Sequence, residues 1–166
     1  MQRSHYQPQG QFSTAQEYMS STDSAQSSET RRRGPFELRW PVRYPKVNRG
    51  FRPARARNHM GVDLAGKRGY RIYAAHDGIV VYAGRGFRGY GNMILLEYDG
   101  QWATLYAHLD GFRVKTGDRV STGQTIGTMG RTGRATGVHL HFELLKKKQP
   151  VDPLPYLRGE ALVVEL

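Results

Sequence analysis

Two histidines flank one leucine in TGVHLHFELL, residues 136–145. The run is strand-like and apolar, and a core strand would favour valine at those places. A buried imidazole costs desolvation free energy unless a partner satisfies it. In a strand, residues i and i+2 point to one face, so His139 and His141 project together, roughly 6–7 Å apart at their Cα atoms. One ring could bind a metal while the other reaches a ligand on that metal. The bland alternative is a pair of histidines on a wet strand face. Leu140, Phe142 and Leu144 alternate onto the opposite face, which is expected to be buried.

A second pair lies in NHMGVDLAG, where His59 and Asp63 are four residues apart. Gly61 and the following AGKRG argue against a stable helix. In a fully extended strand the two side chains would share a face but stand about 13 Å apart. Sharing one metal therefore requires a bend, which Gly61 makes inexpensive. The chain has no cysteine. Disulfides, thiolate metal sites and a cysteine nucleophile are excluded, and any zinc-type centre must combine His with Asp or Glu. Two nitrogens and one oxygen suit a catalytic zinc with an open fourth position. His59, Asp63 and one of the two strand histidines supply that set. His108, in TLYAHLD, is either a satisfied half-buried histidine or, with the leftover strand histidine, one of two bases beside the metal. His76, just before Asp77–Gly78, reads as an exposed residue flanking a turn.

The elements that must position these residues are short strands. The chain has 166 residues, enough for one domain with a tail, and its 20 glycines are spread through the centre without a period. Residues 1–34 are polar and read as a disordered arm or linker. FELRWPVRYPKVNRGF, broken by Pro41 and Pro45, reads as an irregular lead-in with a short edge strand. Apolar runs on either side of Asp77–Gly78 and of Asp99–Gly100 predict two hairpins. A third tight hairpin is expected at Gly117–Asp118. VHLHFELL predicts one more strand, followed by a turn at Gln149–Pro150. No helix of three turns is expected between residues 36 and 158. The sequence thus divides into the arm, one all-β domain over 35–158, and a tail over 159–166 that adds an edge strand or frays.

Net charge is +11, with a pI near 10.2. Such a surface favours anionic partners: nucleic acid, acidic membrane or an acidic cell-wall polymer. No run of 18 apolar residues exists, so no spanning helix is expected. The first residues, MQRSHYQPQGQ, do not form a signal peptide. That leaves a cytoplasmic protein, a leader outside this sequence, or another export route.

In ordered combination, these motifs resemble the lysostaphin-like, LytM-type zinc metallopeptidases that cut peptidoglycan peptides. H-x3-D matches His59 and Asp63. Y-x-H-L matches Tyr106, His108 and Leu109. H-x-H-F-E matches His139, His141, Phe142 and Glu143. The resemblance covers roughly residues 38–157, including DGIVVYAG, GYGNMILLEY and the terminal VDPLPYL. It implies a mainly β fold of the duplicated-hybrid-motif type, an antiparallel sheet groove with glycine-rich loops. It implies zinc held by His59, Asp63 and His141, with His108 and His139 beside the zinc-bound water. It also implies peptidoglycan as the partner and a periplasmic or extracellular location. The chain departs from the family in carrying Arg49 where phenylalanine is common and in a short segment from Pro53 to Asn58.

The resulting expectation is an endopeptidase that hydrolyses peptidoglycan cross-links or stem peptides with zinc-activated water, fading below about pH 6 as the histidines charge. Gly86, Gly89 and Gly91 either make turns or let a small peptide lie close to the backbone, with Tyr90 and Tyr106 lining the groove. The runner-up is a non-catalytic LytM-type regulator that binds cell wall and activates an amidase. Retention of all five positions disfavours it. A phosphocarrier of similar fold would not need Asp63 beside His59, and no zinc-finger or RNA-reading signature supports a nucleic-acid binder.

Overall fold

The computed structural model describes residues 36–54 and 58–158. The polar arm and the 159–166 tail expected from the sequence lie outside the described residues. Twelve strands and one 3-10 turn make up the described chain. They are β1 (Leu38–Arg39), β2 (Val47–Arg49), β3 (Val62–Ala65), β4 (Arg71–Tyr73), β5 (Gly78–Gly84) and β6 (Asn92–Tyr98). There follow β7 (Trp102–Phe112), β8 (Arg119–Val120), β9 (Thr125–Met129), β10 (His139–Lys146), β11 (Gln149–Val151), the 3-10 turn Leu154–Tyr156 and β12 (Leu157–Arg158). The expected all-β architecture is present, with antiparallel pairing throughout the main sheet.

The backbone of the sheet runs β2-β3-β10-β7-β6-β5-β8. β9 joins β7 and β4, and β11 pairs with β10. The lead-in closes on the end of the chain: β1 pairs in parallel with β12 as a separate two-stranded sheet. β2 is the expected short edge strand, and all three of its residues are exposed.

Both faces of the central strands are covered, which is why they read as near-continuous apolar runs. One face carries the large core: Val62, Leu64, Ile94, Leu96, Tyr106, Leu109, Leu140, Phe142 and Leu144. The other carries a smaller cluster: Tyr82, Phe87, Met93, Leu95, Leu105, Ala107 and Leu145. The two sets alternate along β6, β7 and β10, as a side-chain period of two requires.

Four turn expectations meet different outcomes. Asp99–Gly100 is the hairpin turn between β6 and β7, with both residues at positive φ (51° and 70°). At Asp77–Gly78 no hairpin forms, because β4 pairs with β9 while β5 pairs with β6 and β8. The Asp77 carboxylate instead accepts hydrogen bonds from the backbone N–H and hydroxyl of Thr122. Gly78 is needed because a Cβ there would collide with the Glu97 carbonyl oxygen. At Gly117–Asp118 the chain does turn, with Asp118 N–H donating to Lys115 O, but the flanking strands part company. β8 goes to β5, and β7 pairs with β9. The last turn falls at Lys147–Lys148 rather than Gln149–Pro150, since Lys146 pairs directly with Gln149. Local turn chemistry marks where the chain reverses, not which strands it joins.

His76 is also corrected. It is 3% exposed, not a surface residue. Its Nδ1 donates to Asp77 O at 2.7 Å, its Nε2 hydrogen-bonds with the Thr104 hydroxyl at 2.8 Å, and Phe36 and Tyr98 pack on the ring. Burial pushes its pKa down to about 4.

Candidate metal centre

Asp63 and His141 face each other across neighbouring strands. In the β3–β10 register His141 is the direct partner of Asp63, and His139 that of Ala65. β3 alternates Val62 and Leu64 into the core, which turns Asp63 to the opposite face. β10 does the same with Leu140 and Phe142, sending His139 and His141 to the side of Asp63. On the far side of His141 its partner in β7 is Ala107, a small residue that leaves room for the imidazole.

His59 arrives from outside the sheet. Its backbone makes an isolated antiparallel bridge with Arg52. Gly61 does permit the approach, though by a different means from the expected bend. Its φ is not in the left-handed region. A Cβ at Gly61 would collide with the Phe142 carbonyl oxygen and crowd the Glu143 side chain. The missing side chain lets this segment press flat on β10.

The three ligand atoms, one each from His59, Asp63 and His141, lie within 4.8 Å of one another. His141 Nδ1 is 2.8 Å and His59 Nε2 3.0 Å from Asp63 Oδ1, and the two ring nitrogens are 3.2 Å apart. The outer nitrogens are fixed. His59 Nδ1 donates to Gly50 O at 2.8 Å, and His141 Nε2 lies 2.9 Å from Glu143 Oε1. Glu143 in turn accepts from the Tyr90 hydroxyl at 2.8 Å. With Nδ1 of His59 committed as donor, its Nε2 lone pair and the Asp63 carboxylate oxygen point at one spot. Two acceptors so close need a positive charge between them, a shared proton or a metal ion. The donor set and its outer hydrogen bonds match what a divalent ion such as zinc requires, with oriented imidazoles backed by a carboxylate and a carbonyl.

Electrostatics follow the same geometry. Burial raises the Asp63 pKa, but hydrogen bonds from His141 and His59 outweigh it and hold the carboxyl well below its usual range. Burial alone would lower His141. Its hydrogen bonds to Asp63 and Glu143 carry it up to about 9. Burial, with the neighbouring Glu143 charge, raises the Tyr90 hydroxyl far above its ordinary value, keeping it a donor.

His108 reaches the same face by a bulge. Strict alternation along β7 would place it with Tyr106 in the core. Between the pairs Ile94–Tyr106 and Asn92–Leu109 the register slips, and His108 takes φ +61°. The extra residue returns Leu109 to the core and swings His108 over to the metal-site face. Its Nδ1 donates to Thr132 O at 2.8 Å, and its ring stands 4.8 Å from that of His139 and 6.0 Å from that of His141. Burial lowers its pKa to about 4, so it is neutral at pH 7. His139 donates its Nδ1 to Gly137 O and aims Nε2 at Asp63 Oδ1, 3.7 Å away. All four expected histidines and the aspartate therefore converge. Tyr106, expected to line the groove, does not. It is fully buried, and its hydroxyl is held by Ala75 N–H and Thr104. Glu143 and Thr132 had been given no role. Glu143 was within reach of sequence reasoning, since it is two residues past His141 on the same strand face.

A model of peptidase family M23 matches residues 57–153. The chain belongs to this family. Among curated relatives, murein hydrolase activator NlpD of Salmonella typhimurium is 41% identical over 138 residues, covering 82% of this chain and 36% of that protein. The Escherichia coli protein of the same name is 43% identical over 119 residues, covering 72% of this chain and 31% of that one. The M23 chain described here thus spans about a third of the length of these relatives. Among solved structures, a zinc-containing peptidase from Vibrio cholerae superposes with TM-score 0.64 at 34% identity, covering 74% of this chain and 41% of that one. The catalytic domain of lysostaphin from Staphylococcus simulans gives TM-score 0.62 at 36% identity, covering 68% and 91%.

Proposed function

We propose that this M23 protein is a zinc-dependent endopeptidase that hydrolyses peptide bonds in peptidoglycan cross-links or stem peptides. The observation that carries the reading is the convergence of His59, Asp63 and His141 donor atoms within 4.8 Å, with two further imidazoles beside them. His59, Asp63 and His141 would hold the ion. A bound zinc would supply a Lewis acid that polarises a peptide carbonyl and acidifies water. His108 and His139 each tie Nδ1–H to a backbone carbonyl, which leaves Nε2 as the basic atom. One of them would accept a proton from the attacking water, and the other, taking a proton from solvent at Nε2, would donate to the developing oxyanion. The Glu143–Tyr90 pair holds the His141 ring in place.

A second reading is favoured more directly by the curated relatives: activation of a wall hydrolase of the amidase class. Relatives at 41–43% identity are named murein hydrolase activators, against 34–36% identity to the solved peptidases. In that reading the same face binds the wall or the amidase without cutting. Both readings put the protein in the cell envelope. The relatives named as lipoproteins, such as the Pseudomonas aeruginosa homologue, support that location.

Purified peptidoglycan separates the two. It is digested with the protein alone, with a chelator, with zinc restored, and with a wall amidase added, and product masses are read. New peptide termini that vanish with chelator and return with zinc are expected. Absence of products from the protein alone, with faster amidase release, would replace the peptidase reading by the activator one.

A further inference from the structure

We infer that the rim of this centre selects wall peptides carrying free carboxylates beside the bond presented to it, over neutral glycine bridges. The inference rests on the peptidoglycan reading above and names the substrate class for it. Two loops frame the site. Residues 85–91 carry Tyr90, whose hydroxyl bonds Glu143 and whose carbonyl accepts from His108 N–H. Residues 130–138 carry Thr132, whose carbonyl orients His108, and run directly into His139.

The loops are locked to each other. Arg134 N–H donates to Gly89 O at 2.8 Å, and the Thr132 hydroxyl accepts from Asn92 N–H at 3.0 Å. Gly91 and Gly133 both take positive φ, and a Cβ on either would strike the backbone of the opposite loop. These glycines therefore serve loop-to-loop packing. The close packing leaves no room for a peptide between the two loops, so one reaching the centre would meet their exposed side chains.

Those side chains are cationic. Arg88 sits beside Gly89, Arg131 beside Thr132, and Arg134 on the Gly89 contact; all three are exposed. Arg52 is exposed as well, and its backbone is bridged to that of His59. None of the four is ion-paired among the described residues, and Arg131 makes only a 3.5 Å contact to Ala135 O. Neither loop contains Asp or Glu. The neighbouring acids are already engaged: Asp110 with Arg68 at 2.6 Å, and Asp63 and Glu143 with the site histidines. Guanidinium groups match carboxylates in shape and bidentate geometry. A rim of one sign also concentrates ligands of the other sign. A neutral glycine strand would leave these four groups without partners.

The test uses the zinc-loaded full chain and three synthetic peptides: a D-alanyl stem peptide with free carboxylates, the same peptide with its carboxylates amidated, and pentaglycine. Binding is read by fluorescence anisotropy, and cleavage by product mass. The free-carboxylate peptide is expected to bind roughly tenfold more tightly than its amide, the scale of a few exposed charge pairs. The margin should shrink as salt rises toward about 0.5 M. The double variant Arg88→Gln/Arg134→Gln should lose most of it, while Arg113→Gln, away from both loops, should keep it. Equal binding of peptide and amide, or preference for pentaglycine, would overturn the inference. So would displacement of the peptide by a short DNA oligonucleotide at matched charge, which would make the rim a general polyanion surface. Selective binding without cleavage would leave the rim intact and count against the peptidase reading alone.

Discussion

Asp63 receives two imidazoles on one oxygen, and little else in the site can take its place. Asp63→Ala should drop zinc content, measured by elemental analysis after dialysis, from about one per chain to near zero. Circular dichroism should hold, because among the described residues the Asp63 carboxylate bonds only the site histidines. His139→Ala makes the complementary case. It should keep the metal yet lower peptide hydrolysis by about 10²- to 10⁴-fold, the usual cost of a lost proton-transfer group. Glu143→Gln tests the outer support. It removes the charge that His141 and Tyr90 share, and should weaken zinc by about 10- to 100-fold in a competition titration. Zinc affinity unchanged in that variant would mean that His141 is oriented by its strand alone.

Two elements carry the site, and each is shaped by an exception to its own regularity. The β7 bulge breaks alternation to deliver His108, and the flat passage at Gly61 brings His59 down onto β10. The second can be tested by one methyl group. Gly61→Ala places a Cβ against the Phe142 carbonyl, which is sheet backbone and cannot rotate away. Overpacking of that kind costs about 1–3 kcal/mol or more. The urea midpoint should fall accordingly, and zinc affinity should fall with it because His59 is lifted from Asp63. An alanine variant with the native midpoint and native metal affinity would refute this account. The H-x3-D spacing is thus sufficient as a motif only when the residue between can lie against a neighbouring strand.

At the scale of the whole molecule, buried His76 ties stability to pH. Its folded pKa is about 4, against an ordinary value of 6.5. The unfolded chain therefore binds the proton first. Stability is full above about pH 6.5 and falls as pH drops toward 4, by an amount on the order of 3 kcal/mol for this group. His108, shifted down in the same way by burial, adds to the trend. Denaturation series at pH 7, 5.5 and 4.5 should show the decline, and His76→Gln should flatten part of it. A variant as acid-sensitive as the parent would show that His76 is solvated in the folded chain.

The amino-acid sequence by itself determined the class of the fold and the identity of the chemistry. Alternating apolar residues fix which face of a strand is buried, so His139 and His141 were legible as residues turned away from the core. The absence of cysteine confined a metal to nitrogen and oxygen donors, and ordered motifs carried the family. Strand partners were not legible. Asp77–Gly78 and Gly117–Asp118 have the local chemistry of hairpins, yet their flanking strands pair elsewhere, because pairing is decided by long-range burial rather than by four residues of turn. The same holds for His76 and Tyr106, polar-ended side chains that the tertiary structure buries because Thr104, Asp77 and Ala75 meet their hydrogen-bonding atoms. It holds as well for His108, whose direction depends on a register slip between two strands. Only the tertiary structure could decide these, since each depends on atoms that are neighbours in space and far apart along the chain.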